Sequence, residues 1–114
     1  MTRTPQETFT AHFDALASGD IGRLLGDYSE DATILTGQSV LTGRSGVEAF
    51  YLNALQSLPE AQFSVTDATY SGDAALVHWT AQSPSGRIKD GVDTFVFRDG
   101  DILLHSIHFT VEPA

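Results

Sequence analysis

The sequence predicts one α+β domain spanning residues 1–114, with three N-terminal helices packed on one face of a mixed, mostly antiparallel sheet. Three observations carry this prediction. The chain has 114 residues, enough for a single hydrophobic core. Apart from a small hairpin at 32–41, its apolar residues keep helical spacing as far as Pro59 and alternate with a period of two beyond it. Gly-, Asp- and Ser-containing turn signals separate the later segments, as hairpin-connected strands require.

The first helix is announced by Thr4-Pro5-Gln6-Glu7, which reads as a capping box with Pro at the first helical position. Phe9, His12, Phe13 and Leu16 then share one face, and Gly19 supplies a left-handed exit. Asp20 caps a short second helix whose buried stripe is Ile21, Leu24, Leu25 and Tyr28. Ala32–Thr36 and Ser39–Leu41 read as a small hairpin turning at Gly37-Gln38. A third helix starts at Ser45, with Glu48 completing a second capping box, and carries Val47, Phe50, Tyr51, Ala54, Leu55 and Leu58 until Pro59 stops it. Strands follow at about 61–70, 74–82, 90–98 and 102–111. Ser71-Gly-Asp, Pro84-Ser-Gly and Asp99-Gly100 turn the chain between them.

The net charge of −9, from 6 basic and 15 acidic residues, repels phosphate backbones and anionic lipid. Nucleic acid and membrane surfaces are therefore poor partners. Cysteine is absent, which excludes disulfides and thiolate metal sites and suits a reducing cytoplasm. The N-terminus lacks an apolar leader and no run approaches membrane-spanning length, so a cytoplasmic location is expected. No cofactor is implied.

Strand 74–82 sets Leu76, His78 and Thr80 on one side and Ala75, Val77, Trp79 and Ala81 on the other. A sheet apolar on both faces, with helices for one, buries the other against a second subunit. A homodimer is expected, with Trp79 near the contact on the outer face.

Polar residues on apolar faces are the informative ones, because burying such a group unpaired costs about 1–3 kcal/mol. His12 interrupts the stripe of the first helix. Asp93 shares a strand face with Phe95 and Phe97. A two-residue turn at Asp99-Gly100 would pair Arg98 with Asp101 and set Asp93 opposite Ser106. A three-residue loop with a glycine bulge would pair Phe97 with Asp101 and bring Asp93 to His105. The second register collects Leu103, His105, Ile107 and Phe109, the more apolar set, and is preferred; one slip reverses every side chain. The resulting carboxylate–imidazole pair is either a structural pair or an acid/base dyad. His78 is expected to face the same space, although a lone strand histidine is more often an edge or core residue. His105 and His108 point to opposite faces, and no metal site is expected.

Together these residues give the chain a resemblance to the superfamily of SnoaL-like polyketide cyclases, ketosteroid isomerase and nuclear transport factor two-like proteins. It runs from about residue 5 to 110. Its marks are Leu16-x-x-Gly19-Asp20, Tyr28-x-Glu30-Asp31-Ala32-Thr33, Gly43-Arg44-x-Gly46 and Asp93-x-Phe95-x-Phe97 followed by Asp99-Gly100. The resemblance implies a cone-like fold of cystatin-like architecture, with the sheet strongly curved around a small-molecule pocket. Asp93 falls where ketosteroid isomerase has its oxyanion-hole aspartic acid. Phe50-Tyr51-x-Asn53-x-Leu55 resembles its third-helix segment, and Tyr28 with Tyr51 matches tyrosines that support its catalytic tyrosine. That tyrosine's place is taken by His12, and the general base's place by Thr36. Threonine cannot take a proton from carbon near neutral pH, so steroid isomerase activity does not carry over.

The resemblance and the residues together imply a pocket for a small, mostly apolar molecule with a carbonyl or hydroxyl. Phe9, Phe13, Phe50, Phe95 and Phe109 are its expected walls, and His12, Tyr28, Thr36, Tyr51, His78, Asp93 and His105 its polar groups. Asp93, His105 and His12 are the expected catalytic groups, for isomerase or lyase chemistry by proton transfer. The alternative is a non-catalytic dimeric ligand-binding or scaffold module.

Overall fold

The computed structural model describes residues 2–114. Helix α1 (Pro5–Ser18) opens with the reciprocal Thr4–Glu7 capping box and ends on Gly19 at φ 73. Helix α2 (Ile21–Leu25) is capped by Asp20, whose carboxylate accepts from the Arg23 N–H. It ends too early to include Tyr28, which instead begins strand β1 (Tyr28–Leu35). Strand β2 (Val40–Thr42) follows across the Thr36–Ser39 turn.

Helix α3 (Gly43–Ser57) departs from expectation at its start. It begins two residues before Ser45, and no side chain caps it. Gly43, at φ 72, lets the chain turn straight out of β2 into the helix, so Ser45 lies inside the first turn.

Strands β3 (Gln62–Ser71), β4 (Ala74–Ser83), β5 (Gly86–Arg98) and β6 (Asp101–His108) are joined by tight turns, and β7 (Val111–Pro113) folds back on the start of β5. Strand β5 starts at Gly86 rather than near 90, because Pro84-Ser85 alone makes the turn. The expected last strand splits at Phe109-Thr110, where the Asp90 carboxylate takes the Thr110 N–H at 2.8 Å.

The sheet order is β2-β1-β6-β5-β4-β3. Every pairing is antiparallel except β1 with β6, which is parallel. The helices pack on the concave face of this curved sheet. The core joins Phe9 and Ala15 of α1, Leu24 of α2, and Val47 and Tyr51 of α3 to Ile34, Val77, Phe95, Phe97, Ile102 and Ile107 of the sheet. Each such large apolar side chain contributes on the order of 1.5–3 kcal/mol by leaving water.

The β5–β6 hairpin corrects the preferred register: the three-residue loop pairing Phe97 with Asp101 does not form. Its turn has two residues, Asp99 at φ 52 and Gly100 at φ 83, and Arg98 pairs with Asp101. A bulge then shifts the ladder between Phe97↔Ile102 and Val96↔Leu104. Leu103 is the extra residue. Beyond it the odd-numbered residues of both strands share the concave face, but Asp93 stands opposite Ile107 and Phe95 opposite His105.

Candidate functional site

A cavity of about 210 Å³ lies between the concave face of the sheet and the helices. Its walls include Phe9, Phe13 and Leu16 of α1, Phe50 of α3, Phe95 of β5 and Phe109 beyond β6. Five of these are walls expected from the sequence; Leu16 is an addition. Its polar lining residues include His12, Tyr51, Asn53, Trp79, Asp93 and His105.

Six polar side chains form one continuous chain of hydrogen bonds. Trp79 Nε1–H donates to Asp93 Oδ1 at 2.9 Å. Asp93 Oδ2 meets His105 Nε2 at 2.9 Å, and His105 Nδ1 meets the Tyr28 hydroxyl at 2.8 Å. Tyr28 meets the Tyr51 hydroxyl at 2.8 Å, which meets His12 Nε2 at 3.4 Å. Asp93 and His105 are therefore diagonal rather than direct neighbours across the two strands, within reach because the carboxylate leans along its strand.

Packing fixes each member of this chain. The His105 ring stacks on Phe95 with centroids 4.0 Å apart. His12 is wedged edge-on against Tyr28, Tyr51, Phe95 and His105. The Trp79 ring lies directly over Gly91, where a Cβ would sit 2.3 Å from it. Only glycine permits that approach.

Burial sets the protonation of three members. Desolvation, with the neighbouring His105 adding to it, drives the His12 pKa down to about 3, so its ring is neutral at neutral pH. Desolvation also raises the pKa of Tyr28 well above its usual value and that of Tyr51 with it. Both hydroxyls keep their protons. The site thus holds a carboxyl group, two imidazoles and two neutral hydroxyls against an apolar space, a set suited to giving and taking protons.

Four expectations are corrected by the structure. Trp79 lies on the concave face beside Asp93, not on the outer face, because Ala75, Val77, Trp79 and Ala81 form the more apolar side of β4 and turn inward. His78, of opposite parity, consequently lies on the outer face beside Val92 and does not reach the cavity. Thr36 sits in the β1–β2 turn, where its hydroxyl accepts the Ser39 N–H at 2.9 Å and the Gln38 N–H at 3.2 Å. It is not part of the cavity lining. Tyr28, expected among the polar groups of the pocket, is instead fully buried behind its lining, where its hydroxyl meets Tyr51 and His105.

Trp79 is the member of the chain that sequence reasoning missed. Its alternation with Val77 on the greasier face of the strand, opposite Gly91, was the available signal. Asn53, Leu55 and Val111 also line the cavity. Among the described residues no three His, Asp or Glu side chains gather as a metal ion would need.

An α+β cone with an apolar cavity and polar groups at its floor defines a class of pocket-bearing domains. Within it the chain belongs to the SnoaL-like domain family, whose pattern matches residues 9–105. Solved structures share the fold. An NTF2-like protein of unknown function from Burkholderia xenovorans LB400 is 22% identical with a TM-score of 0.80, over 96% of this chain and 84% of that one. A candidate ketosteroid isomerase from Kribbella flavida DSM 17836 is 21% identical with a TM-score of 0.81, over 96% and 79%. IdmH, a candidate polyketide cyclase from Streptomyces antibioticus, is 19% identical with a TM-score of 0.79, over 94% and 92%. No curated protein matches the chain.

Proposed function

We propose that this chain binds a small, mostly apolar molecule carrying a carbonyl or hydroxyl, and catalyses a cofactor-free proton transfer on it. The reaction class is isomerisation, dehydration or aldol-type cyclisation. The observation that carries this reading is the Asp93–His105 pair, joined at 2.9 Å on the floor of an apolar cavity of about 210 Å³. In that role Asp93 is the acid or hydrogen-bond donor to the ligand oxygen, and His105 or His12 moves the proton. Structural neighbours named for isomerase and cyclase activity support the class. The lack of cysteine suits work in a reducing cytoplasm.

A panel of lipophilic ketones and phenols tests the proposal. Trp79 is the sole tryptophan and touches the cavity, so saturable quenching of its fluorescence reports binding. Asp93→Asn and His105→Ala are expected to abolish turnover while keeping the fold. Unchanged turnover in both variants defeats the assignment.

One observation favours a second reading, a non-catalytic dimeric ligand-binding or scaffold module: the polar groups of the site largely satisfy one another. Binding without turnover of any ligand in the panel would select it. In either reading two copies pair through the outer sheet face, which carries Leu76, Val92, Val96 and Leu104 in place of Trp79. Sedimentation at micromolar concentration is expected to give a dimer, and a monomer overturns the pairing.

A further inference from the structure

We infer that Trp79 is a stacking platform, and that the ligand of the cavity is a flat aromatic ketone or phenol lying on the indole face with its oxygen at Asp93. The inference rests on the pocket reading above and narrows its ligand from apolar molecules in general to planar ones.

The orientation of the indole follows from what lies beneath it. A Cβ on Gly91 would run into Cδ2 and Cε2 of Trp79, with Nε1 the next nearest atom. Those two carbons are shared by both rings and have no outer edge, so an atom can approach both at once only through a ring face. One face of the indole therefore rests on the bare backbone of β5. The N–H edge is held by Asp93 at 2.9 Å. Phe63 and Phe109 meet the ring tilted, at 54° and 58°, so neither lies flat on the remaining face. Trp79 nonetheless lines the cavity, and that face is what it presents.

The platform is fixed before any ligand arrives. Backbone below, a carboxyl group at one edge and two phenylalanines hold the ring, so stacking on it costs little side-chain entropy. Along the strands, Val77 pairs with Asp93 on one side of Trp79, and Ala81 pairs with Ile88 on the other. A ring lying on the indole thus has a carboxyl group at one end and the apolar cluster of Leu58, Ala81 and Ile88 at the other. Asp93 keeps 14% of its side chain exposed, whereas His105 keeps 1%, so Asp93 is the group a ligand oxygen can touch. The ligand described by these surroundings has one oxygen-bearing end and one bare end. Aromatic rings gain from offset stacking beyond the area they bury, and saturated rings do not. A dry cavity of about 150 Å³ takes one benzene; at about 210 Å³ this one suits two fused rings.

Calorimetric affinities for 2-acetylnaphthalene and its fully saturated counterpart, 2-acetyldecalin, test the platform. The two share a carbon skeleton and a carbonyl group, and the saturated ketone is the more hydrophobic, so burial alone favours it. The wild type is expected to bind the flat ketone more tightly, by roughly two- to tenfold. The naphthyl proton resonances of the bound ketone are expected to move upfield, as protons above a ring face do. In Trp79→Leu the preference should vanish or reverse, because both ketones carry the same oxygen to Asp93. Equal or weaker binding of the flat ketone by the wild type overturns the platform, whether or not the variant folds, and leaves the pocket reading in place. A preference that survives in folded Trp79→Leu overturns it as well. Binding of neither ketone removes the ligand class itself, and the platform with it.

Discussion

His12 sits on the apolar stripe of α1, and its folded pKa of about 3 lies below the ordinary imidazole value of 6.5. The unfolded chain therefore takes up a proton that the folded chain refuses. Its contribution is fully present above pH 6.5 and is lost as the pH falls toward 3, at roughly 1 kcal/mol per pH unit. His12→Phe is expected to remove that slope. Urea midpoints at pH 7 and pH 5 check this, and parallel profiles for the two proteins would contradict it. Gly91 offers a second test at this scale. A methyl group there would meet the Trp79 ring at 2.3 Å, so Gly91→Ala should cost about 1–3 kcal/mol and shift the tryptophan emission as the ring leaves Asp93. An unaltered spectrum and midpoint would show that the ring has room to spare.

Among the elements, β6 shows what a sequence does and does not disclose. The concave set His105, Ile107 and Phe109 was legible because those residues are greasier than Ser106, His108 and Thr110. The bulge at Leu103 was not legible. Ile102 and His105 both face inward, three residues apart, and alternation by two cannot express that spacing. The turn chemistry of Asp99-Gly100 and the apolar pattern each pointed to a true feature, and the bulge reconciles them. Deleting Leu103 is expected to force one of them to fail, giving a protein with a broadened thermal transition and poorly dispersed amide resonances. A well-dispersed spectrum with the His105–Asp93 contact intact would argue against this role. The helix starts show the same division. Thr4–Glu7 formed its box as read, but the same pattern at Ser45–Glu48 was overridden by Gly43, whose left-handed backbone began the helix early. The walls of the site followed from the phenylalanine spacing. Trp79 and His78 were exchanged between faces, because the parity of β4 relative to β5 depends on a pairing that lies beyond local pattern.

For the molecule as a whole, the N-terminal segment is tied to the far end of the chain. The Thr8 hydroxyl donates to the Gly100 carbonyl at 2.6 Å, the Ile102 N–H donates to the Asp27 carbonyl, and Arg3 pairs with the buried Asp27 carboxylate at 2.8 Å. Burial raises the Asp27 pKa, while the Arg3 hydrogen bond and charge oppose the rise. A raised carboxyl stabilises the fold fully below its unfolded value, and that contribution is lost as the pH climbs through the folded value. Arg3→Ala removes the opposing cation, so it should destabilise more at pH 7 than at pH 3. The difference is of order 1 kcal/mol once screening of the half-exposed guanidinium is allowed for. Denaturant midpoints at the two pH values measure it, and an equal loss at both would remove Asp27 as the cause.

The parallel pairing of β1 with β6 also governs when the pocket can come into being. During synthesis the ribosome releases His12 and Tyr28 early and Asp93 and His105 last. Strand 28–35 has to wait, its inward edge uncovered, until residues 101–108 emerge to dock beside it. A nascent chain halted after the 62–83 hairpin would hold the helices and four strands but no hollow, and would be the form most exposed to chaperones.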